Sequence, residues 1–250
     1  MTAFHPFFIA FGFLTRIPIK IGVVDSRAMR RSVAYYPIVG LFLGSLLAGA
    51  SYLNHATLSP NCLSVLLVAF LALMTGGLHL DGWADFFDGM GGGNDRERVL
   101  AIMRDSRIGS YGTVALTLLL LAKTFALIPL IENGNFAALV VFPAIARWTA
   151  VPLVVCFPYA RKEGLGTVFQ GESRTTEIAL ATFFIVATLI FVSPSYTFPS
   201  FISLAFIVLL TVLLFGYWNL RRLGGLTGDI YGAAIELAEL LLLLLAGQIG

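Results

Sequence analysis

The sequence predicts an all-α integral membrane protein, a polytopic bundle of about seven transmembrane helices that forms one domain over residues 1–250. Three observations carry this prediction. Hydrophobic residues make up 58% of the chain and charged residues 12%, about half the charged fraction of a typical soluble domain. Several charge-free runs reach the roughly 20 residues that a helix needs to cross a bilayer. The basic residues also occur in alternate segments between those runs, as in multi-pass membrane proteins.

The segment before the first span predicts a short helix lying in the membrane interface. Four phenylalanines recur there at helical spacing, and Arg16 and Lys20 follow them, which is typical of an interfacial amphipathic helix. A partly inserted core helix stays open as the alternative. The four residues are Phe4, Phe7, Phe8 and Phe11.

Apolar runs predict the spans in order along the chain. The run at 178–220 is about twice as long as one span. It breaks at Ser193-Pro194-Ser195, so we predict two helices joined by a tight turn. The predicted spans are therefore 33–53, 62–80, 112–131, 136–157, two helices within 178–220, and 232–250.

The charged residues predict the orientation of the bundle. All the basic residues except Lys123 and Arg147 lie in four segments on one side of the predicted spans, and Arg174 is one of them. By the positive-inside rule that side is the cytoplasm, and the amino terminus lies there. All the acids except Glu132 lie on the same side. The rule does not require this, so the cytoplasmic carboxylates indicate a functional site.

The strongest candidate for that site is the segment 75–89, where the second predicted span ends. On a helix, Asp81, Asp85 and Asp88 fall on one stripe about 60° wide, and the aromatic residues of the segment fall on the opposite face together with His79. Three like charges on adjacent turns repel one another, and a divalent cation such as Mg²⁺ removes that cost. The alternative is a solvated acidic face. The aromatic residues are Trp83, Phe86 and Phe87.

Basic residues near this stripe are candidates for binding phosphate. Arg104 and Arg107 follow it after a glycine-rich stretch, and the planar guanidinium group suits phosphate oxygens. Anchoring at lipid headgroups is their alternative role. Lys123 and Arg147 lie within predicted spans, where they either neutralise phosphate in a cavity or extend to an interface.

Acidic residues recur where the last predicted span meets the cytoplasm. Asp229 and Glu236 are seven residues apart and would share one face of a helix, although Asp229 is equally well placed as an N-cap. Glu236 and Glu239 lie just inside the apolar run. Ionisable groups at that depth usually face the protein interior or a wet cavity.

Together these segments resemble the cobalamin synthase family, the adenosylcobinamide-GDP ribazoletransferases. The matching pieces occur in the family's order along nearly the whole chain: FLTRIP (13–18), TGGLHLDG (75–82), ADFFDG (84–89), IMRDSRIG (102–109), YAR (159–161), EGLG (163–166), TGD (227–229) and GAAIEL (232–237).

The resemblance implies a Mg²⁺-dependent enzyme of the bacterial cytoplasmic membrane, with its active site on the cytoplasmic side. Such an enzyme transfers a cobinamide phosphoryl group from its GDP-activated form to α-ribazole or α-ribazole 5′-phosphate and releases GMP. The expected partners are those substrates and membrane lipid, not nucleic acid. Association with a second copy or with other corrinoid-assembly enzymes stays open.

The resemblance and the spacing together suggest a role for each candidate residue. We expect Mg²⁺ to be bound by Asp81, Asp85 and Asp88. Substrate is expected to contact Arg104, Arg107, Lys123, Arg147 and His79. The candidates for accepting the hydroxyl proton of ribazole are Asp88, Glu236 and Asp229.

Two other functions remain open from the sequence. A CDP-alcohol phosphotransferase also places aspartates on helices near the membrane surface, but its motif has Ala-Arg after the second aspartate and a glycine, and here Asp85 follows Ala84 with no arginine. A transporter of divalent cations or phosphate would explain Lys123 and Arg147. Transporters usually carry internal repeats and ionisable groups near the midplane, whereas the acids here lie at one interface.

Overall fold

Two adjacent glycines that follow the helix Pro60–Thr75 set the direction of the next helix, which carries the acidic motif. Gly76 and Gly77 both adopt positive φ angles, of 64° and 70°, which glycine reaches without steric cost. The chain bends by 92° there. In this computed structural model, which describes residues 5–22, 24–169, 175–192 and 198–247, the segment predicted as one span over 62–80 is therefore two helices.

Within those residues the chain is all-α, as predicted, with no β-strand and one isolated bridge between Tyr159 and Leu226. A short 3₁₀ segment joins α2 to α3. The helices are α1 (His5–Leu14), α2 (Ser26–Ser32), α3 (Tyr36–Asn54), α4 (Pro60–Thr75), α5 (Leu78–Gly92), α6 (Arg96–Ile102), α7 (Ser110–Glu132), α8 (Phe136–Cys156), α9 (Thr175–Val192), α10 (Phe198–Leu223) and α11 (Gly228–Ala246).

The described residues contain five or six candidate membrane spans, compared with the predicted count of about seven. In the described part of the chain, five helical segments are long and apolar enough to span: Ser26–Asn54, α7, α8, α9 and α10. A sixth appears if α4 and α5 form one broken span. The predicted seventh span, α11, contains three acids and is not among them. It is instead a largely buried helix packed against α5, α7, α8 and α10.

The amino-terminal helix forms where it is predicted, but one face of it packs into the protein. Ile9, Ala10, Phe11 and Leu14 are buried, and α1 contacts α2 and α3. The Phe11 ring lies 5.4 Å from that of Phe42. This packing is the arrangement expected of the core-helix alternative. Phe4, Arg174, the turn at 193–195 and the end of the predicted last span lie outside the described residues.

Close packing of α3 on α8 forms the centre of the bundle. Gly40 and Gly44 are one turn apart on α3, and a β-carbon at either would clash with the backbone of α8 at Pro143 or Val140. Small residues spaced by four let two membrane helices approach closely. This contact holds the middle of α8, including Arg147, against the core.

Candidate active site

The acids of the two predicted motifs meet where α5 crosses the start of α11. The crossing is close because both helices carry glycine there: a β-carbon at Gly82 would lie 2.7 Å from the Asp229 carbonyl oxygen, and one at Gly232 would lie 3.3 Å from the His79 Cα. Asp229 thereby joins Asp81 and Asp85, and the charges of Asp81 and Asp229 both act on Asp85. We call these three residues the acid cluster.

Arg161 is the cationic partner of the acid cluster. Its Nη2 donates to Asp229 Oδ2 at 2.7 Å and to the Met103 carbonyl at 3.3 Å. The loop that carries it is tied to the segment before α11, since the Ala160 amide donates to Leu226 O and the Leu226 amide donates to Pro158 O, both at 2.8 Å. Arg161 was not among the predicted site residues, although it ends the YAR motif.

Thr227 is the N-cap of α11, which decides whether Asp229 has that role. Thr227 Oγ1 accepts from the Ile230 amide at 3.4 Å and donates to Asp229 Oδ2 at 3.2 Å. Asp229 therefore lies in the first turn of α11 and is not its N-cap. Its side chain is 20% exposed, so it stays accessible from the site.

Asp88 lies on the predicted stripe of α5 with Asp81 and Asp85, and its charge also acts on Asp85, but its carboxylate is bound by a neighbouring helix. It is buried, and its two carboxylate oxygens accept from the Gly109 amide at 2.7 Å and the Gly112 amide at 2.8 Å. These amides begin α7, where unpaired N–H groups favour a carboxylate. Asp88 thus caps α7. That Asp88 binds Mg²⁺ with Asp81 and Asp85, or accepts a proton, stays a prediction; in this structure each of its oxygens accepts one backbone hydrogen bond.

The opposite face of α5 is packed as predicted. Trp83 Nε1 donates to Ala115 O of α7 at 3.1 Å, and the Phe86 ring lies 5.1 Å from that of Phe215 on α10. His79 is buried on this helix, and its Nε2 has no hydrogen-bond partner among the residues that the structure describes. Asp81 remains exposed and Asp85 half-buried.

The charged residues within the bundle form an interior network instead of facing the site. Lys123 donates to Glu236 and, at 2.5 Å, to Glu239 Oε2, while Arg147 Nη1 donates to Glu239 Oε1 at 2.7 Å. The adjoining cavity, which His79 also lines, has a volume of about 20 Å³, enough for roughly one water.

Phosphate does not fit in that space. That Lys123 and Arg147 bind substrate phosphate stays a prediction; in this structure both are paired with buried carboxylates. Glu236, predicted as a proton acceptor, is buried and paired with Lys123, an arrangement that does not favour this role.

The two predicted arginines of the 102–109 loop differ in environment. Arg107 donates to Asp105 at 2.6 Å and 3.0 Å on the exposed loop, and these hydrogen bonds lower the pKa of Asp105 to about 2. Arg104 instead lines a recess of about 470 Å³. We call this space the basic recess, lined by Arg96, Arg104, Arg161 and Lys162. Arg104 is therefore close to the site, whereas the charge of Arg107 is compensated by Asp105.

Two further cavities meet at Asp81. One, of about 300 Å³, is lined by aromatic and apolar side chains together with Asp81, Arg161 and Asp229. The other, of about 710 Å³, is lined by Arg16, Gly76, Gly77 and Asp81 among others, and we call it the open recess. The acid cluster thus lies between a small enclosed space and a larger open one, with arginines on both sides.

The donor set suits Mg²⁺ bound together with a substrate phosphate. Mg²⁺ in phosphate-handling sites usually takes one or two carboxylates and completes its shell with waters and phosphate oxygens. Asp81 and Asp85 supply two carboxylates one turn apart on one face. Across the described ranges, no group of three or more His, Cys, Asp or Glu side chains converges to hold a metal ion, so the remaining ligands would come from substrate and water.

Comparisons with known proteins assign the chain to one family. The CobS family, described as cobalamin-5-phosphate synthase, matches residues 6–247. Adenosylcobinamide-GDP ribazoletransferases resemble the chain along its length. The protein of Geotalea daltonii is 41% identical over 98% of this chain and 97% of its own length. That of Pseudomonas putida is 40% identical over 96% and 97%. That of Desulforamulus reducens is 36% identical over 96% of each.

No solved structure matches the chain. The comparisons support neither the CDP-alcohol phosphotransferase nor the transporter alternative. Because the family match covers nearly all of the residues and the relatives align from end to end, the chain belongs to the CobS family of cobalamin-5-phosphate synthases.

Proposed function

We propose that this protein joins adenosylcobinamide-GDP to α-ribazole or α-ribazole 5′-phosphate, with Mg²⁺, and releases GMP. The products are adenosylcobalamin or its 5′-phosphate. The observation that carries the proposal is the acid cluster, which lies between two cavities and beside Arg161 in a chain similar to ribazoletransferases over its full length.

The reaction is a phosphoryl transfer, which depends on positioning and charge neutralisation more than on covalent chemistry by the protein. An oxygen of the ribazole hydroxyl forms a bond to the phosphorus that carries cobinamide. The bond from that phosphorus to the bridging oxygen of the pyrophosphate breaks, and GMP leaves with the bridging oxygen.

Asp81 and Asp85 hold the cation in this proposal. When bound, Mg²⁺ neutralises charge on the pyrophosphate and polarises its phosphorus. Arg161 and Arg104 contact phosphate oxygens from the basic recess, and Arg16 does so from the open recess. The guanidinium fork suits these contacts because it donates two parallel hydrogen bonds.

Asp229 is the proposed proton acceptor for the ribazole hydroxyl. Of the three acids predicted for this role, it alone lines the enclosed cavity. Arg161 and Thr227 both bond to Asp229 Oδ2, which leaves Oδ1 to take the proton. Arg161 then stabilises the position of the carboxylate without occupying that oxygen.

We also propose that the protein lies in the bacterial cytoplasmic membrane with the acid cluster on the cytoplasmic side. The distribution of basic residues supports this orientation. In a variant without Cys62 and Cys156, an impermeant thiol reagent outside the cell should label a cysteine at Asn133 but not one at Ser106, and the reverse pattern would contradict the orientation.

Purified protein in liposomes, supplied with adenosylcobinamide-GDP and α-ribazole 5′-phosphate, should release GMP and form cobalamin phosphate in equal amounts. Chromatography follows both products. Omitting the ribazole substrate should abolish GMP release, because the acceptor hydroxyl is the nucleophile. GMP release that continues unchanged without the acceptor, or no product from folded protein, would contradict the proposed reaction.

A further inference from the structure

The enclosed cavity beside the acid cluster is walled by aromatic rings from distant parts of the chain. We call it the aromatic cavity. Phe13 and Tyr36 stack with ring centroids 6.4 Å apart and planes 21° from parallel, and Phe169 lies 6.4 Å from Phe13. The aromatic lining residues are Phe13, Tyr36, Tyr159, Phe169 and Tyr231. Several flat hydrophobic surfaces therefore border one space.

The rings are held by their surroundings. A β-carbon at Gly166 would clash with the ring of Tyr159, so the ring packs directly on the backbone of its own loop. That loop is anchored to the segment before α11 by the backbone hydrogen bonds on either side of Leu226. Arg96 strengthens the anchor by donating to Ala160 O at 2.9 Å and Leu223 O at 2.7 Å. Packing and backbone hydrogen bonds thus fix the part of the wall that Tyr159 forms.

The size of the aromatic cavity restricts what can enter it. Its volume of about 300 Å³ lies at the lower end of the roughly 300–1,000 Å³ of small-molecule pockets. A corrin macrocycle with its side chains is several times larger than a nucleoside and does not fit. The open recess on the other side of Asp81 has about 710 Å³ and is the roomier space.

The polarity of the cavity lining favours the base of α-ribazole over guanine, the other base in the proposed reaction. Guanine presents several donors and acceptors along its edge, and burying them without partners is costly. The base of α-ribazole is a benzimidazole with two methyl groups, and its outer edge is apolar. The remaining wall offers aliphatic contacts from Leu14, Ala150, Val154 and Ile235. The polar groups of the lining are the charged residues of the site, the His79 ring and three tyrosine hydroxyls, and the ribose and phosphate of the acceptor need such partners. These residues are Asp81, Arg161, Asp229, His79, Tyr36, Tyr159 and Tyr231.

We propose that the aromatic cavity is the acceptor pocket, in which the methyl-substituted base of α-ribazole stacks on aromatic side chains and its ribose extends to the acid cluster. This inference rests on the proposed function. It places the acceptor hydroxyl beside Asp229 and leaves the open recess for the cobinamide substrate. Aromatic stacking is a common way to bind a flat base.

Separate titration of the two substrates tests the assignment. Replacing Tyr231 or Phe169 by leucine should raise the KM for α-ribazole 5′-phosphate about tenfold or more, the effect of losing one base–aromatic stack. The KM for adenosylcobinamide-GDP should change less than about twofold. Tyr217 is an exposed tyrosine of α10, so Tyr217→Leu is the matched control and should alter neither constant.

A second variant tests the fit of the methyl groups without removing a ring. Ala150→Val narrows the wall, and it should lower kcat/KM for the dimethylbenzimidazole nucleotide more than for an unsubstituted benzimidazole nucleotide. Thermal unfolding in detergent checks that the variant is folded, and equal losses for both nucleotides in folded protein would overturn the assignment of this wall.

The outcomes separate the two proposals. A wild-type protein without turnover would overturn the proposed function and the acceptor pocket with it. An active wild type in which Tyr231→Leu and Phe169→Leu raise the KM for adenosylcobinamide-GDP, and not that for the ribazole substrate, would overturn the acceptor pocket alone and assign the cavity to guanine.

Discussion

Asparagine in place of Asp81 or Asp85 is expected to lower the rate of GMP release at least about 100-fold without lowering the stability of the protein. In the proposed mechanism these carboxylates hold the cation, whose charge contributes several kcal/mol to the transition state, and each 1.36 kcal/mol corresponds to a factor of ten in rate. Asp81 is exposed and Asp85 half-buried among other acids. Removing one negative charge there relieves repulsion, so the fold should remain intact.

The measurement is turnover with both substrates at saturating Mg²⁺, with thermal unfolding in detergent as the check on folding. Glu132→Gln is the matched control, because Glu132 is an exposed acid at the far end of α7 and has no place in the site. Unchanged turnover in folded Asp81→Asn or Asp85→Asn protein would remove that residue from the proposed metal ligands.

Glutamine in place of Glu239 is expected to destabilise the protein by about 3–5 kcal/mol, the usual effect of removing one partner from a buried ion pair. Glu239 accepts from both Lys123 and Arg147. Arg147 is completely buried, and within the described part of the chain two of its guanidinium nitrogens, Nε and Nη2, have no hydrogen-bond partner. Losing Glu239 would leave that charge without its counterion inside the bundle.

Glu236→Gln is the comparison within the same network. Lys123 would keep Glu239 as a partner in that variant, and the pairing of Arg147 would be untouched, so the loss of stability should be smaller. The midpoint of thermal unfolding in detergent measures both variants against wild type. Equal midpoints for Glu239→Gln and wild type would contradict a stabilising role for the network.

The fold class and the location of the site follow from local patterns in the sequence. Composition and charge-free runs are enough to predict a helical membrane protein, and helical spacing places Asp81 and Asp85 on one face of α5. The stripe gives the position of Asp88 on α5 but not its hydrogen bonds, because its partners are the amides of Gly109 and Gly112, which lie more than 20 residues away. Helical periodicity contains no information about a contact with another helix.

The same limit explains the interior charges. The sequence shows that these charged residues lie within apolar runs. It does not show that Lys123 pairs with Glu236 and Glu239, because these positions are more than 110 residues apart. Without that pairing, an isolated cation in a span is reasonably interpreted as a phosphate ligand. The link between Arg161 and Asp229 also arises only when the 158–161 loop meets the start of α11.

The break between α4 and α5 could have been predicted from the sequence, because Gly76 and Gly77 are adjacent. The apolar residues on both sides masked it, because hydropathy over 62–80 is compatible with one continuous span. Similarly, the three acids of α11 show that this helix differs from the other predicted spans. Burial among four neighbouring helices, which depends on the whole bundle, is what accommodates them.

Binding of Mn²⁺ as a substitute for Mg²⁺, measured by the loss of the free-ion signal in electron paramagnetic resonance, tests the central claim most directly. In the presence of adenosylcobinamide-GDP, wild-type protein and Glu132→Gln should bind the ion, and a folded Asp81→Asn/Asp85→Asn variant should leave it free. This result would place the cation on α5 beside the substrate pyrophosphate. Equal binding by the double variant and wild type would contradict the claim that the acid cluster is the metal site.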